Sequence, residues 1–187
     1  MKNLYIDFDG VILDTMTILY DNKTYIGKDK PFEEQEKYFT NYPWENIVKD
    51  ENILCDSINS IKKIIESNRF NLSILTHVNS MKEAVLKINY LRKYFDDITI
   101  IPCPKKISKT KMVHTKDSIL VDDFSGNLRE WKSEGGIGVK FSVKEENDEF
   151  PVIKNLAELI EMFWLTIKCK NNMIKLERDI SLFHILH

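Results

Sequence analysis

Short apolar runs alternate along the chain with segments that show helical spacing of apolar residues. Each run is rich in branched and aromatic side chains and is bounded by polar or turn-forming residues, a pattern typical of buried strands. The third run is expected to stop at Pro102 and Pro104. The predicted strands cover residues 3–8, 70–75, 97–101, 118–121 and 137–141.

Helices are predicted between these strands. Residues 53–67 place their apolar side chains on one helical face. Ser80 and Glu83 form an S-x-x-E capping box, which begins a second helix. A third helix is predicted over 127–133 and ends before Gly135-Gly136. The apolar face of the first helix comprises Leu54, Ile58, Ile61 and Ile65, and that of the second comprises Val85, Ile88, Leu91 and Phe95.

The alternation of strands and helices predicts an α/β fold, a three-layer Rossmann-like parallel sheet with helices on both faces. Ligands of such sheets bind beyond the carboxyl ends of the strands. Three of the predicted strands end in polar residues, which should therefore converge on one edge. These residues are Asp7 and Asp9, Thr76, and Asp122 and Asp123.

Two segments depart from the alternation. Residues 15–68 are too many for a simple crossover, so we predict a small helical cap inserted after the first strand, with 1–14 and 69–187 forming the core domain. The segment after Pro151 has helical spacing. The aromatic residues of the predicted cap are Tyr20, Tyr25, Phe32, Tyr38, Phe39, Tyr42 and Trp44, and the apolar residues of the last helix are Leu156, Leu159, Ile160, Phe163 and Ile167.

Composition narrows the class of protein. The 187 residues are 43% hydrophobic and 30% charged, which suits one folded domain with a modest insertion. A net charge of −2 argues against a protein that coats a nucleic acid polymer, because such a protein needs a basic surface. No apolar run suits a membrane span or a signal peptide. Cys55, Cys103 and Cys169 lack metal-ligand spacing, so we expect a cytoplasmic protein.

Asp7 and Asp9 carry the sharpest chemical signal. In extended backbone, residues two apart point to the same side, and two carboxylates so close need a cation or a proton between them. A divalent cation would stabilise both and could also hold a phosphate oxygen. One carboxylate can then attack phosphorus while the other, when protonated, donates to the leaving oxygen. Gly10 lets the backbone turn away from the strand.

Three further segments offer partners for this pair. Thr76 ends a strand just before a helix N-terminus, where a hydroxyl suits a phosphate oxygen, and His77 and Asn79 are neighbouring polar candidates. Asp122 and Asp123 form the second half of a site whose oxygen ligands suit Mg²⁺. The lysines ahead of the fourth strand could face the phosphate as cations. They are Lys105, Lys106, Lys109 and Lys111.

Residues 7–11, Asp-Phe-Asp-Gly-Val, resemble the first motif of the haloacid dehalogenase-like (HAD) superfamily, and Thr76, the lysines and Asp122-Asp123 follow in the order of its other motifs. The resemblance implies that Asp7 is the nucleophile and a metal ligand. Asp9 would be the general acid and base, with its backbone carbonyl on Mg²⁺. Family members that hydrolyse phosphate esters carry an acid at the position of Asp9, whereas dehalogenases and P-type ATPases do not.

The same resemblance implies roles for the other three motifs. Thr76 would bind the phosphate. Lys109 is the first choice for the lysine that offsets the charge of Asp7, with Lys111 as the alternative. Asp123 would bind the metal directly, and Asp122 through water or as a second ligand. Some family members carry an acid where this chain has Asn127.

Residues 121–131 and 135–141, with the short cap, are similar to the bacterial and phage branch of the 5'(3')-deoxyribonucleotidase family, the cytosolic type C 5'-nucleotidases. That resemblance implies hydrolysis of nucleoside monophosphates, a base stacked on cap aromatics, and a possible homodimer. Three alternatives stay open. They are a HAD phosphatase of a sugar phosphate or other small phosphoester, a HAD protein that binds a phosphate ligand without hydrolysis, and, more remotely, a polynucleotide 3'-phosphatase.

Overall fold

The computed structural model describes residues 1–21, 27, 30–143 and 149–163. In this part of the chain, six parallel strands form one sheet with the order β3-β2-β1-β4-β5-β6. The strands are β1 (Lys2–Ile6), β2 (Phe70–Val78), β3 (Thr99–Pro104), β4 (Ile119–Asp122), β5 (Ile137–Phe141) and β6 (Val152–Ile153). The helices are α1 (Thr15–Asp21), α2 (Phe32–Asn41), α3 (Ser57–Glu66), α4 (Met81–Arg92) and α5 (Ser125–Ser133), with 3-10 turns at Trp44–Asn46, Asp50–Asn52 and Lys109–Lys111.

Successive residues of β1 face opposite sides of the sheet, and each side has its own apolar core. Leu4 and Ile6 belong to a cluster that also contains residues of α3 and α4. Tyr5 belongs to a second cluster, in which Trp131 of α5 packs edge-on against its ring at 5.3 Å. Helices therefore cover both faces, and the predicted parallel α/β sheet is confirmed.

The prediction that β3 stops before its prolines is wrong. Pro102 pairs with Thr76 and Pro104 with Val78, so β3 runs alongside β2 to its end. The physical reason is the position of β3 at the edge of the sheet, where a residue without an N–H breaks no hydrogen bond to a second neighbour. The two-residue strand β6 was not predicted, because a pair this short leaves no periodic signal.

The predicted apolar faces of two helices need correction. Helix α3 buries Ile58, Ile61 and Ile64, whereas Ile65 is 40% exposed. In α4, Val85 is 51% exposed. The buried residues of α4 are Glu83, Ala84, Lys87, Tyr90 and Leu91. Two ionisable side chains, Glu83 and Lys87, are thus buried on this helix, where they pair with each other and Lys87 also pairs with Asp9.

The ends of the predicted helices agree better. Ser80 is the N-cap of α4, and its hydroxyl accepts a hydrogen bond from the Glu83 backbone N–H at 3.1 Å. The side chain of Glu83, however, binds Asn79 rather than closing the reciprocal half of a capping box. Helix α5 ends ahead of Gly135, which has a φ of +80°.

The division into a core and a cap at 15–68 stays a prediction. One apolar cluster contains residues of both parts. Leu19 and Trp44 pack in the same cluster as Leu4 of β1. At the C-terminal side, residues 158–163 are helical. Tyr25, Ile167 and Cys169 lie outside the described residues. None of the described helices has both the length and the apolarity that a membrane span requires.

Candidate active site

Three carboxylates meet at the carboxyl ends of β1 and β4. Asp7 directly follows β1, and its backbone N–H donates to Val121 O of β4 at 2.9 Å. Asp122 is the last residue of β4, and Asp123 comes next. One carboxylate oxygen from each of Asp7, Asp122 and Asp123 lies within 4.8 Å of the other two. Parallel pairing of β1 and β4 thus brings together acids that are more than one hundred residues apart.

Lys109 lies against two of these acids. Its Nζ is 2.9 Å from Asp7 Oδ1 and 2.6 Å from Asp122 Oδ2, and the side chain is buried. The lysine begins a 3-10 turn that Ser108 caps by accepting from Thr110 N–H. Lys111 ends the same turn, but its side chain is 67% exposed and pairs with Glu134 at 3.5 Å. Of the two candidate lysines, Lys109 is therefore the one at the acidic cluster.

The two aspartates at the end of β4 have different surroundings. Asp122 is fully buried, and its oxygens accept hydrogen bonds from Phe124 N–H and Asn127 Nδ2, both at 2.9 Å, besides the contact with Lys109. The backbone carbonyl of Asp123 accepts from Lys140 Nζ. Asn127 thus positions Asp122 through its side-chain amide. This contact was not predicted from the sequence.

Gly10 is required by the close approach of Asp123. Its φ of +70° lies in the left-handed region, and a Cβ on this residue would come within 2.3 Å of Asp123 Oδ2. Any larger residue would therefore meet both backbone strain and a clash with a carboxylate of the cluster. The Asp-x-Asp-Gly motif thus contributes space to the site as well as two acids.

Burial and mutual repulsion raise the pKa values of two acids in the cluster. Desolvation, opposed by Lys109 and reinforced by Asp122 and Asp9, raises the pKa of Asp7 to about 6. The pKa of Asp123 is raised to about 8, mainly by desolvation and further by the negative charges of Asp122, Asp7 and Asp9. Such a cluster favours a proton or a cation. Its hard oxygen donors and its charge fit Mg²⁺, which Asp7, Asp122 and Asp123 would hold.

We expect Mg²⁺ to stabilise the protein more at about pH 8.5 than at about pH 5.5. In the folded protein, Asp7 and Asp123 stay protonated up to their raised pKa values. In the unfolded chain, the same two groups lose their protons near the ordinary pKa of an aspartate. The stability of the metal-free protein should therefore fall as pH rises from roughly 4 to 8, and ionised carboxylates should then bind Mg²⁺. Thermal unfolding should show a rise in Tm of about 5 °C at the higher pH with saturating Mg²⁺.

A matched variant tests the cause of this pH dependence. Asp123→Asn removes the acid with the higher pKa, so most of the Mg²⁺-dependent rise in Tm should disappear. Asp96→Asn changes an exposed acid and should leave the rise unchanged. An equal rise in Tm at both pH values for the parent protein would contradict the prediction.

The carboxylate of Asp9 is not part of the three-acid cluster. Its Oδ1 accepts from Thr15 Oγ1 at 2.7 Å, and its Oδ2 lies 2.5 Å from Lys87 Nζ. The structure therefore does not place this side chain among the metal-site oxygens. The predicted contact of Asp9 with the metal through its backbone carbonyl stays a prediction.

The remaining predicted residues line the end of β2. Thr76 is fully buried, donates to His77 O at 3.2 Å and lies 3.4 Å from Lys87 Nζ. His77 Nε2 is 3.0 Å from Ile107 O, and burial together with Lys109 lowers its pKa to about 4. His77 is therefore neutral at physiological pH. Asn79 donates from its backbone N–H and its side chain to Glu83 Oε2.

A cavity of about 190 Å³ opens beside the ends of β2 and β3. The cavity lies between the predicted cap and the core sheet, since α2 forms one wall and the strand ends form the other. Its lining residues are Phe32, Gln35, Glu36, Phe39, Val78, Asn79, Pro104, Lys105 and Lys106. Of the candidate residues named from the sequence, Asn79, Lys105 and Lys106 line this cavity.

Lys87 is the functional candidate that sequence reasoning missed. It is fully buried on α4 and contacts Asp9 and Glu83. A signal was present, because Ala84, Lys87 and Leu91 stand three and four residues apart and therefore share a helical face. A lysine on the sheet-facing side of a helix needs a carboxylate partner, and here it has two, the buried Glu83 and the partly buried Asp9.

Comparison with known proteins identifies the fold. No family model matches the sequence, and no curated protein matches it. Among solved structures, the chain is similar to a HAD hydrolase, family IA, variant 3, from Entamoeba histolytica, with 18% identity and a TM-score of 0.57 over 84% of this chain and 95% of that one. It is also similar to a HAD phosphatase from Thermococcus onnurineus, with 17% identity and a TM-score of 0.54 over 87% of this chain and 98% of that one.

A third similar structure is a D,D-heptose 1,7-bisphosphate phosphatase from B. bronchiseptica in complex with magnesium and phosphate. It shares 14% identity and a TM-score of 0.53 over 89% of this chain and 99% of that chain. The chain therefore has the fold of HAD-superfamily phosphatases. In this fold, Asp7, Asp122 and Asp123 form a group of carboxylates that could hold a metal ion.

Proposed function

We propose that the protein is a Mg²⁺-dependent phosphatase of small phosphate monoesters that works through an aspartyl-phosphate on Asp7. The observation that carries the proposal is the meeting of Asp7, Asp122 and Asp123 within 4.8 Å, with the Lys109 ammonium against Asp7 and Asp122. A carboxylate beside a buried cation is placed to attack a phosphorus whose charge the same cation offsets. Mg²⁺, when bound, neutralises charge on the phosphate oxygens.

The proposed reaction has two steps. Asp7 attacks phosphorus, the bond from phosphorus to the ester oxygen breaks, and protonated Asp9 gives its proton to that oxygen. Water then attacks the aspartyl-phosphate, Asp9 takes a proton from it, and the Asp7 carboxylate leaves with phosphate released. Lys109 neutralises the phosphoryl oxygens in both steps. Thr76 stays a predicted phosphate ligand, whose hydroxyl would have to exchange its bond to His77 O for one to phosphate.

For the substrate we propose a nucleoside monophosphate. The cavity beside β2 and β3 has the rings of Phe32 and Phe39 on one wall, and aromatic side chains suit the flat face of a base. Lys105 on the opposite wall suits an anionic ligand, whereas the neighbouring Lys106 is paired with Glu36 at 2.8 Å. A sugar phosphate is the second candidate, because a structural neighbour is a phosphatase of D,D-heptose 1,7-bisphosphate.

A substrate panel with Mg²⁺ and with EDTA tests the proposal. We expect release of phosphate from dUMP or dTMP with kcat/KM at least about tenfold above that for hexose phosphates, since an aromatic-lined cavity should add about 1.4 kcal/mol of binding to the base. EDTA should abolish turnover, and added Mg²⁺ should restore it.

The other outcomes of the panel decide between the alternatives. Efficient turnover of sugar phosphates with none of dUMP or dTMP would reject the nucleotidase proposal and favour the second candidate. An inactive protein across the panel, despite a Mg²⁺-dependent rise in Tm, would reject the phosphatase proposal and favour a protein that binds phosphate ligands without hydrolysis.

A further inference from the structure

Lys87 is a buried cation outside the three-acid cluster. Its side chain is 1% exposed, and its Nζ lies 2.5 Å from Asp9 Oδ2, 2.7 Å from Glu83 Oε1 and 3.0 Å from His77 O. The rings of Phe8 and Trp44 lie 5.3 and 5.2 Å from the same nitrogen. The ammonium therefore has a complete set of partners without any contact with solvent.

The partners of Lys87 are themselves fixed. Glu83 is buried, and its second carboxylate oxygen accepts from Asn79 N–H at 2.7 Å at the end of β2. The carbonyl of His77 belongs to β2 itself. The sheet and α4 thus hold the ammonium in one position, because its partners belong to β2 and to α4.

The arrangement leaves Asp9 oriented and still able to react. A carboxylate has about four acceptor positions. Thr15 Oγ1 occupies one on Oδ1, and Lys87 occupies one on Oδ2. Because each oxygen keeps a second acceptor position and the side chain is 15% exposed, the carboxyl group of Asp9 stays accessible to a substrate while the two contacts orient it.

A contribution to the stability of the fold does not by itself explain why a lysine occupies this buried position. Burial of a charged pair costs desolvation energy that an apolar side chain at the same place would avoid. We propose that Lys87 is a positioning residue that holds the Asp9 carboxyl where it can protonate the leaving oxygen. This inference rests on the proposed phosphatase function and assigns a role to a residue outside the motifs of the predicted active site.

The test compares two esters that differ in their need for a proton. The leaving group of p-nitrophenyl phosphate departs readily as an anion, whereas the alkoxide of β-glycerophosphate must be protonated. For Lys87→Met we expect kcat/KM to fall about 100-fold on β-glycerophosphate and less than about fivefold on p-nitrophenyl phosphate. The constant kcat/KM is the correct readout, because it excludes the later hydrolysis of the aspartyl-phosphate.

Lys82→Met is the matched control, since Lys82 is on the same helix, 75% exposed and paired with Glu45. It should lower neither rate. If Lys87→Met leaves Glu83 unpaired and the protein unfolds, the double variant Lys87→Met, Glu83→Gln removes both buried charges and should show the same difference between esters.

The possible failures are distinguishable. Equal losses of kcat/KM on both esters, or no loss on either, in a folded variant of an active parent would overturn the role of Lys87 alone. A parent protein inactive on both esters in the presence of Mg²⁺ would overturn the proposed function, and this inference with it.

Discussion

Asp7→Asn should lower kcat by at least about 10³-fold and leave the protein folded. The amide of asparagine is nearly the same size as the carboxyl group but cannot form the bond to phosphorus. Asp7 also contributes one of three crowded carboxylates, so loss of its charge relieves repulsion with Asp122 and Asp123. The thermal stability of the metal-free variant should therefore equal or exceed that of the parent.

Covalent labelling gives the direct measurement for this variant. Acid quenching during turnover should trap phosphate on the parent protein and none on Asp7→Asn. Asp96→Asn, a change of the same kind at an exposed position, should behave like the parent in both assays. Near-normal turnover by pure Asp7→Asn protein would refute the assignment of Asp7 as the nucleophile.

The fold was predictable because it depends on patterns that repeat. Apolar runs separated by helical segments indicate a parallel sheet, and parallel strands place their carboxyl ends on one edge. From this rule alone, Asp7 of β1 was expected near Asp122 and Asp123 of β4, and the structure brings the three together. The prolines of β3 misled the prediction because the sequence does not show which strand lies at an edge.

The contacts around Asp9 were not predictable in the same way. The pattern of apolar residues assigned Val85 to the buried face of α4, yet Lys87 is buried and Val85 is exposed. A charged residue occupies a core position when a partner distant in sequence neutralises it, and here that partner is Asp9, 78 residues away. The helical spacing of Ala84, Lys87 and Leu91 can indicate that Lys87 is buried, but periodicity within one helix does not identify a partner in another element.

The choice between Lys109 and Lys111 had the same limitation. Both lysines precede β4 by a short distance, and spacing alone favours neither. The 3-10 turn decides, because residues two apart on it point in different directions. Lys109 points toward Asp7 and Asp122, and Lys111 points toward Glu134.

Lys109→Met is therefore expected to be far more damaging than Lys111→Met. Without Lys109, Asp7 and Asp122 keep their burial but lose the cation between them, so the free energy of unfolding of the metal-free protein should fall by about 3 kcal/mol. Turnover with saturating Mg²⁺ should fall about 10²- to 10³-fold, because one fixed positive group no longer faces the phosphoryl oxygens. Lys111→Met removes an exposed ion pair and should change neither quantity appreciably.

Denaturant unfolding and steady-state kinetics on the two variants separate the contributions of Lys109. Mg²⁺ should restore much of the lost stability of Lys109→Met, since a second cation can neutralise the same carboxylates. It should not restore turnover, because the metal ion and the lysine would contact different phosphoryl oxygens. A folded Lys109→Met protein that keeps turnover within about threefold, or a Lys111→Met protein that loses it, would show that the phosphate-facing cation is a different residue.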